Sequence, residues 1–371
     1  MFTQQLLDTA LAQAPAEVKA RFALLTADNA RDEVGYSLEL SSANADQLSV
    51  ASLNLDSGWR ASADSLVFLR RTLHDHYTAD NLLGPRVLLP VITAYVEGIE
   101  RLRHGIGGSM LDELLSIGAG YAEFAGWLCH DSGNLTGAAS WCARAFEWAQ
   151  AAGDRRMAAF VLARRAAQAI STRDGAMAAR LASAAQQDRD PTAIPVRAIA
   201  AVTEAHGHAI SGDAGLSDKA LDSAASLIDE IDIISDGDPS KGRYCDLSLY
   251  LIISRAKCHL ELGHATEAVE AYNLVLDTLP AEYHRDRGQY LAHLVRAYVL
   301  IDLRDKACAS AEEALAIAAE TGSARTAAEV RRILSTVPAH WNKTPEVEHI
   351  KDILLALDRT NGGQAGVLAR N

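Results

Sequence analysis

The residues of this 371-residue chain that could do chemistry fall into three kinds: close histidine pairs, adjacent carboxylates, and isolated aromatics and bases at helical intervals. The histidines come first, because two of them at the right spacing can hold a metal. His74-x-His76 and His206-x-His208 are two residues apart, which puts the two side chains on different faces of a helix. His259 and His264 are five apart and also miss a shared face. No metal is therefore expected. The carboxylate pair Glu312-Glu313 belongs to a solvated helix face. Gly105-Ile106-Gly107-Gly108 has the glycines of a phosphate loop, but it lacks the lysine and follows no strand. No strand–Gly-x-Ser-x-Gly–helix elbow occurs. With no catalytic constellation, the chain is expected to bind rather than to catalyse, and no cofactor is expected. The binding candidates are Glu123, Trp127, His130, Phe160, His206, Tyr250, Lys257, Gln289 and Arg296, with Glu261 beside them. Aromatics and two bases in one groove suit a peptide or an amphipathic small molecule that carries a carboxylate. Lys257 and Arg296 are expected to hold that carboxylate.

The elements that must position these residues are helices. Apolar residues make up 49% of the chain but aromatics only 6%, and alanine carries much of the difference. Alanine has the highest helix propensity, whereas the β-branched and aromatic residues that sheets favour are scarce. A repeating unit is clearest over Leu249–Pro280, with Ala256 on a first helix, Gly263 at the turn, and Ala268, Tyr272 and Val275 on a second helix that ends at Pro280. Small residues where two helices cross, a glycine turn and a closing proline are the tetratricopeptide pattern. The pattern recurs around Asp131–Asn134, Arg173-Asp174, Gly212-Asp213 and Asp302. The small residue after each turn is Ala138, Ala178, Ala220, Ala268 and Ala307, at intervals of 40, 42, 48 and 39. The usual period is about 34, so these helices or loops are longer; Asp236-Gly237-Asp238-Pro239 accounts for the widest interval. The expected fold is all-α, a right-handed tetratricopeptide-like α-solenoid of antiparallel helix pairs. The first helix of each pair lines the concave face, and this is what places the ten candidates in one groove.

Four regions follow along the chain. Residues 1–60 read as short helices (Phe2–Leu11, Pro15–Leu25) and a linker with a short strand at Leu48–Leu55. Residues 61–110 form a helical pair or cap, Ser62–Tyr77 and Val87–Arg103, which is also a candidate dimer interface. Residues 111–335 carry the repeats. Residues 336–371 form a capping helix and a tail that frays at Gly362–Gly366. The five cysteines are odd in number and lack a Cys-x-x-Cys spacing, which fits small buried hydrophobes in a reducing cytosol. A cytoplasmic location is expected, because no basic-then-apolar leader opens the chain and no apolar run reaches membrane-spanning length. The net charge of −13 argues against a large nucleic-acid-binding face.

The segment Leu114–Asp154 contains Tyr121-Ala122-Glu123, Ala125-Gly126-Trp127-Leu128, Asp131-x-Gly133 and Ala151-x-Gly153-Asp154. Upstream lie Asp64-x-Leu66, Leu82-x-Gly84-Pro85 and Glu100-x-Leu102. These motifs resemble the C-terminal region of actinobacterial helix-turn-helix regulators with tetratricopeptide repeats, and the resemblance covers residues 60 to 335. It implies the sensory part of a transcriptional regulator of secondary metabolism or development. Such proteins usually begin with a DNA-reading module, but here residues 1–60 hold eight acids against four bases. Direct DNA binding by this chain is therefore doubtful. The leading expectation is a regulatory sensor whose partners are a peptide or small-molecule ligand and a protein partner or second copy. The alternative is a protein-interaction adaptor with no small ligand.

Overall fold

A computed structural model describes residues 62–188, 190–231 and 247–368. The expected helices and strand before residue 61, the loop at Asp236–Pro239 and Cys245 lie outside them. Among the described residues the chain is all-helical, with thirteen α-helices, three single-turn 3-10 segments and no strand. The α-helices are α1 (Ala63–Leu102), α2 (Ser109–Asp131), α3 (Leu135–Ala151), α4 (Arg155–Ser171), α5 (Gly175–Ala185), α6 (Ile194–Ile210), α7 (Ala214–Asp229), α8 (Leu247–Leu262), α9 (Ala265–Thr278), α10 (His284–Leu300), α11 (Arg304–Thr321), α12 (Ala324–Leu334) and α13 (Pro345–Leu368). Among the described residues no helix is long and apolar enough to cross a membrane.

One turn design joins six of the helices to their successors. The N–H groups of Asn134, Asp154, Asp174, Asp213, His264 and Leu303 each donate to the carbonyl five residues back, at 2.8–3.0 Å. That bond closes a Schellman motif, which requires a left-handed residue just before it. Gly133, Gly153, Gly212 and Gly263 fill that position, whereas Arg173 and Asp302 adopt it at φ 64° and 57°. The next residue then starts the following helix. Asn134, Asp154, Asp174 and Asp213 each accept a backbone N–H three positions on, the bond that stabilises an N-cap. A two-residue Gly-Asn or Gly-Asp sequence thus ends one helix and begins the next.

Turns this short lay consecutive helices side by side in opposite directions. Accordingly α2 packs on α3, α4 on α5, α6 on α7, α8 on α9 and α10 on α11. The first members of successive pairs also touch, from α2 to α4, α6, α8, α10 and finally α12. Small residues set the spacing: a Cβ on Gly207 of α6 would lie 2.7 Å from the backbone nitrogen of Ala179 on α5. The ends carry the large side chains. Leu69, Ile92, Tyr121 and Phe124 fill the core of α1 and α2, while Ile253, Tyr272, Leu315 and Ile333 fill that of α8–α12.

The series also meets itself, because α1 touches α10 and α11, and α2 touches α12. Gly84 makes the meeting possible. It breaks α1 at φ 65°, ψ −177°, and a Cβ there would lie 2.0 Å from the carbonyl oxygen of Thr321 on α11. Pro85 follows it, where the chain re-enters a helix and a missing N–H costs nothing. At the other end α13 runs on through Gly362 and Gly363 to Leu368. Each glycine weakens a helix by about 1 kcal/mol without forbidding it.

Candidate functional site

The first helices of the pairs, together with α12, surround a cavity of about 450 Å³. Six of the residues singled out from the sequence line it: Trp127, His130, His206, Tyr250, Lys257 and Gln289, with Glu261 alongside. The other three do not. Glu123 is fully buried behind the wall, where it holds Arg164 at 2.7 Å. Phe160 is packed in a small core with Ala159, Val196 and Ile199, since its position on α4 faces α6 rather than the cavity. Arg296 is committed to Glu261, donating from Nη1 at 2.7 Å and from Nη2 at 3.0 Å. It therefore does not form the expected clamp with Lys257.

One side of the cavity is the seam where the ends of the series meet. Its centre is the Trp127 indole, whose Nε1 donates to Asp80 Oδ2 of α1 at 2.7 Å. The guanidinium of Arg285, from α10, lies 2.5 Å from the same oxygen and donates to Asn81 at 3.3 Å. Asp131, at the end of α2, accepts from Ser323 at 3.0 Å and from Arg325 of α12 at 3.1 Å. Three guanidinium groups, those of Arg164, Arg285 and Arg325, approach the Trp127 ring to 4.5, 5.1 and 5.1 Å, within cation–π range. Burial pushes the Asp131 carboxyl up, but the positive charges of Arg285 and Arg325 outweigh it and hold the group below its ordinary value. Burial lowers the His130 imidazole to about 3, helped by Arg325 and Arg164, so it is neutral at pH 7. Its Nε2 lies 2.7 Å from Ser171 Oγ.

The opposite side is built from α6, α8, α10 and α12. Glu261 is gripped by Arg173 at 2.6 Å and by Arg296, with His206 at 3.7 Å. Burial pushes its carboxyl up, but these donors prevail and leave it far below the usual range. Glu329 is treated alike by His293 at 3.6 Å and Arg332 at 2.5 Å. Between these two nodes lies Lys257. Among the described residues its ammonium has neither an ion pair nor a hydrogen bond. Burial lowers it to about 8, and Arg325 adds to the effect.

Charge around the cavity is the reverse of that of the chain. Six cationic side chains line it against three carboxylates, in a protein whose net charge is −13. Every one of the five arginines has a carboxylate of its own: Arg164 with Glu123, Arg173 with Glu261, Arg285 with Asp80, Arg325 with Asp131 and Arg332 with Glu329. Lys257 is the remaining cation.

Sequence reasoning passed over Arg164, Arg285, Arg325, Tyr290 and His293. A signal existed for part of this set. Residues that bond across neighbouring first helices are about one repeat apart: Glu123–Arg164 by 41, His130–Ser171 by 41 and Glu261–Arg296 by 35. Complementary side chains at that offset mark the wall. The pairing of His259 and His264 is a second correction. The Schellman turn folds His264 back over the last turn of α8, so the two Nδ1 atoms lie 3.4 Å apart. Among the described residues no group of three or more His, Cys, Asp or Glu is placed to hold a metal ion. His74 lies exposed on α1, whereas His76 is packed against Tyr95 and Tyr121, and burial lowers it to about 4.

No protein-family model matches this chain, and no curated protein matches it.

Proposed function

We propose that the chain is a non-enzymatic sensor that binds a small anionic molecule in its central cavity, on a tetratricopeptide-like α-solenoid. The observation that carries this reading is the uncompensated Lys257 ammonium in a cavity where every arginine already has its counter-ion. A half-buried cation without a partner is costly, and a bound anion removes that cost. The meeting of α1 with α10 and α11 favours a compact ligand over a long peptide threading an open groove. Tyr250 and Tyr290, which share the lining with Lys257, supply flat apolar surface for the body of such a ligand. Through the motifs around Trp127, the protein is the sensory component of a transcriptional regulator acting in the cytoplasm. A ligand bridging first helices of different pairs changes their relative rotation, and small rotations add along a stacked series. That alters the surface offered to a protein partner or a second copy.

The test is a fluorescence titration of the full chain with anilinonaphthalene sulfonate, an aromatic anion. One-to-one saturable binding, weakened about tenfold (about 1.4 kcal/mol) in Lys257→Met, is expected. An affinity unchanged by that substitution rejects the anion site. In that event the adaptor reading takes its place, with copurification of a protein partner as its signature.

A further inference from the structure

We infer that Lys257 is a carbonyl-capturing amine, which holds a small anionic aldehyde or 2-oxo acid in the cavity as a reversible imine; the choice of an anionic carbonyl compound rests on the anion-binding reading above. The geometry that leads there is the isolation of this one side chain. It sits on α8 with Glu261 one turn on, yet Glu261 is already engaged by Arg173 and Arg296 and forms no ion pair with it. The groups that face it electrostatically are Arg325 of α12, Asp286 and His293 of α10, and His206 of α6, with Cys258 adjacent on its own helix. Burial lowers both histidines and so favours their neutral form, and burial raises the Cys258 thiol to about 11, so it is no thiolate at neutral pH. Asp286 is the one carboxylate that favours the ammonium, against the cation of Arg325.

An amine so placed is a nucleophile at neutral pH. Desolvation and a neighbouring cation are the two means by which lysines are activated for Schiff-base chemistry. With the ammonium at about 8, its free-amine fraction at pH 7 exceeds that of an ordinary lysine roughly two hundredfold. Arg325 supplies the second half of the site. Its Nε is given to Asp131, while among the described residues its Nη1 and Nη2 carry no hydrogen bond, so they can receive a carboxylate beside the reacting carbonyl. In the step itself the lysine nitrogen's lone pair forms a C–N bond to the carbonyl carbon as the π pair moves to oxygen. The resulting carbinolamine takes up a proton and loses water, leaving a protonated imine. Amine, carbonyl compound and one proton give iminium ion and water, and hydrolysis runs the same step backwards. This is capture, not turnover.

The chain contains seven lysines, which provide the internal control. The full protein is incubated with glyoxylate and sodium cyanoborohydride at pH 7.5, and the modified lysines are located by peptide mass mapping. Lys257 is expected to be modified at least tenfold faster than the exposed Lys306 and Lys343. Its lead should shrink as the pH is raised towards 10.5, where the exposed amines also become neutral. Modification of Lys257 no faster than of Lys306 and Lys343 overturns the inference, and because all sites are read in one wild-type sample no variant has to fold. A parallel arm uses propionaldehyde, which is neutral. Lys257 favoured equally by both aldehydes upholds the reactive amine and rejects the anion site. Lys257 unfavoured by either, with anilinonaphthalene sulfonate binding still dependent on it, rejects the capture alone.

Discussion

Both sides of the cavity pair their carboxylates with cations, but only one side has a cation left over. At the seam, Asp80, Asp131, Arg164 and Arg285 are each exposed by 5% or less, and every charge has an opposite. Across from it, Lys257 is a cation with none. Buried charges that are fully paired hold elements in register; removing one partner leaves the other stranded at about 3–5 kcal/mol. An unpaired one is a liability to the apo fold and a reserve for binding. The seam is thus read as structure and Lys257 as function, although both face the same space.

This contrast can be broken most severely at Arg285. Arg285→Ala leaves Asp80 without a cation and Asp131 with Arg325 as its one cation, and should destabilise the chain by about 3–5 kcal/mol, read as the midpoint of urea unfolding. Gly84→Ala comes next. It adds a Cβ against the Thr321 carbonyl at a backbone angle that disfavours L-residues. A loss of about 2–4 kcal/mol is expected, with faster hydrogen exchange concentrated in α1 and α11. The smallest effect has the opposite sign. Lys257→Met removes the uncompensated ammonium and should stabilise the apo protein by about 1 kcal/mol at pH 7. The sign follows from linkage: the folded protein holds the Lys257 proton less tightly (about 8) than the unfolded chain does. The Lys257 contribution to wild-type stability is therefore most unfavourable below pH 8 and fades as the pH rises towards 10.5. The advantage of the methionine variant should shrink over the same range. A destabilised Lys257→Met would place this lysine with the seam and erase the distinction.

Much of the scaffold is legible in the sequence because its rules are local. Gly133-Asn134 and Gly212-Asp213 announce both a helix end and a helix start, and the alanines that follow sit where partner helices cross. Trp127, Lys257 and Gln289 reach the cavity because a first helix keeps one face inward along its length. What stays hidden is the closure. Arg285 meets Asn81 across 204 positions and Ser323 meets Asp131 across 192, and no local spacing records such partners. For the same reason nothing local marks Arg325 as the neighbour of Lys257. The charge of Arg296 is visible in the sequence, whereas its engagement by Glu261 is not.

The approach of Gly84 to Thr321 fixes a number as well as a contact. A stacked series with two free ends can gain or lose a helix pair by duplication or deletion, since each pair answers only to its neighbours. Here the last pairs must also meet the first helix, through an oxygen that leaves no room for a single methyl group. An added pair would carry Thr321, Arg285 and Arg325 past their partners, and a lost one would leave them short. The count of helix pairs in this protein is therefore as constrained as the identity of a core residue, and change is confined to substitution within the circle.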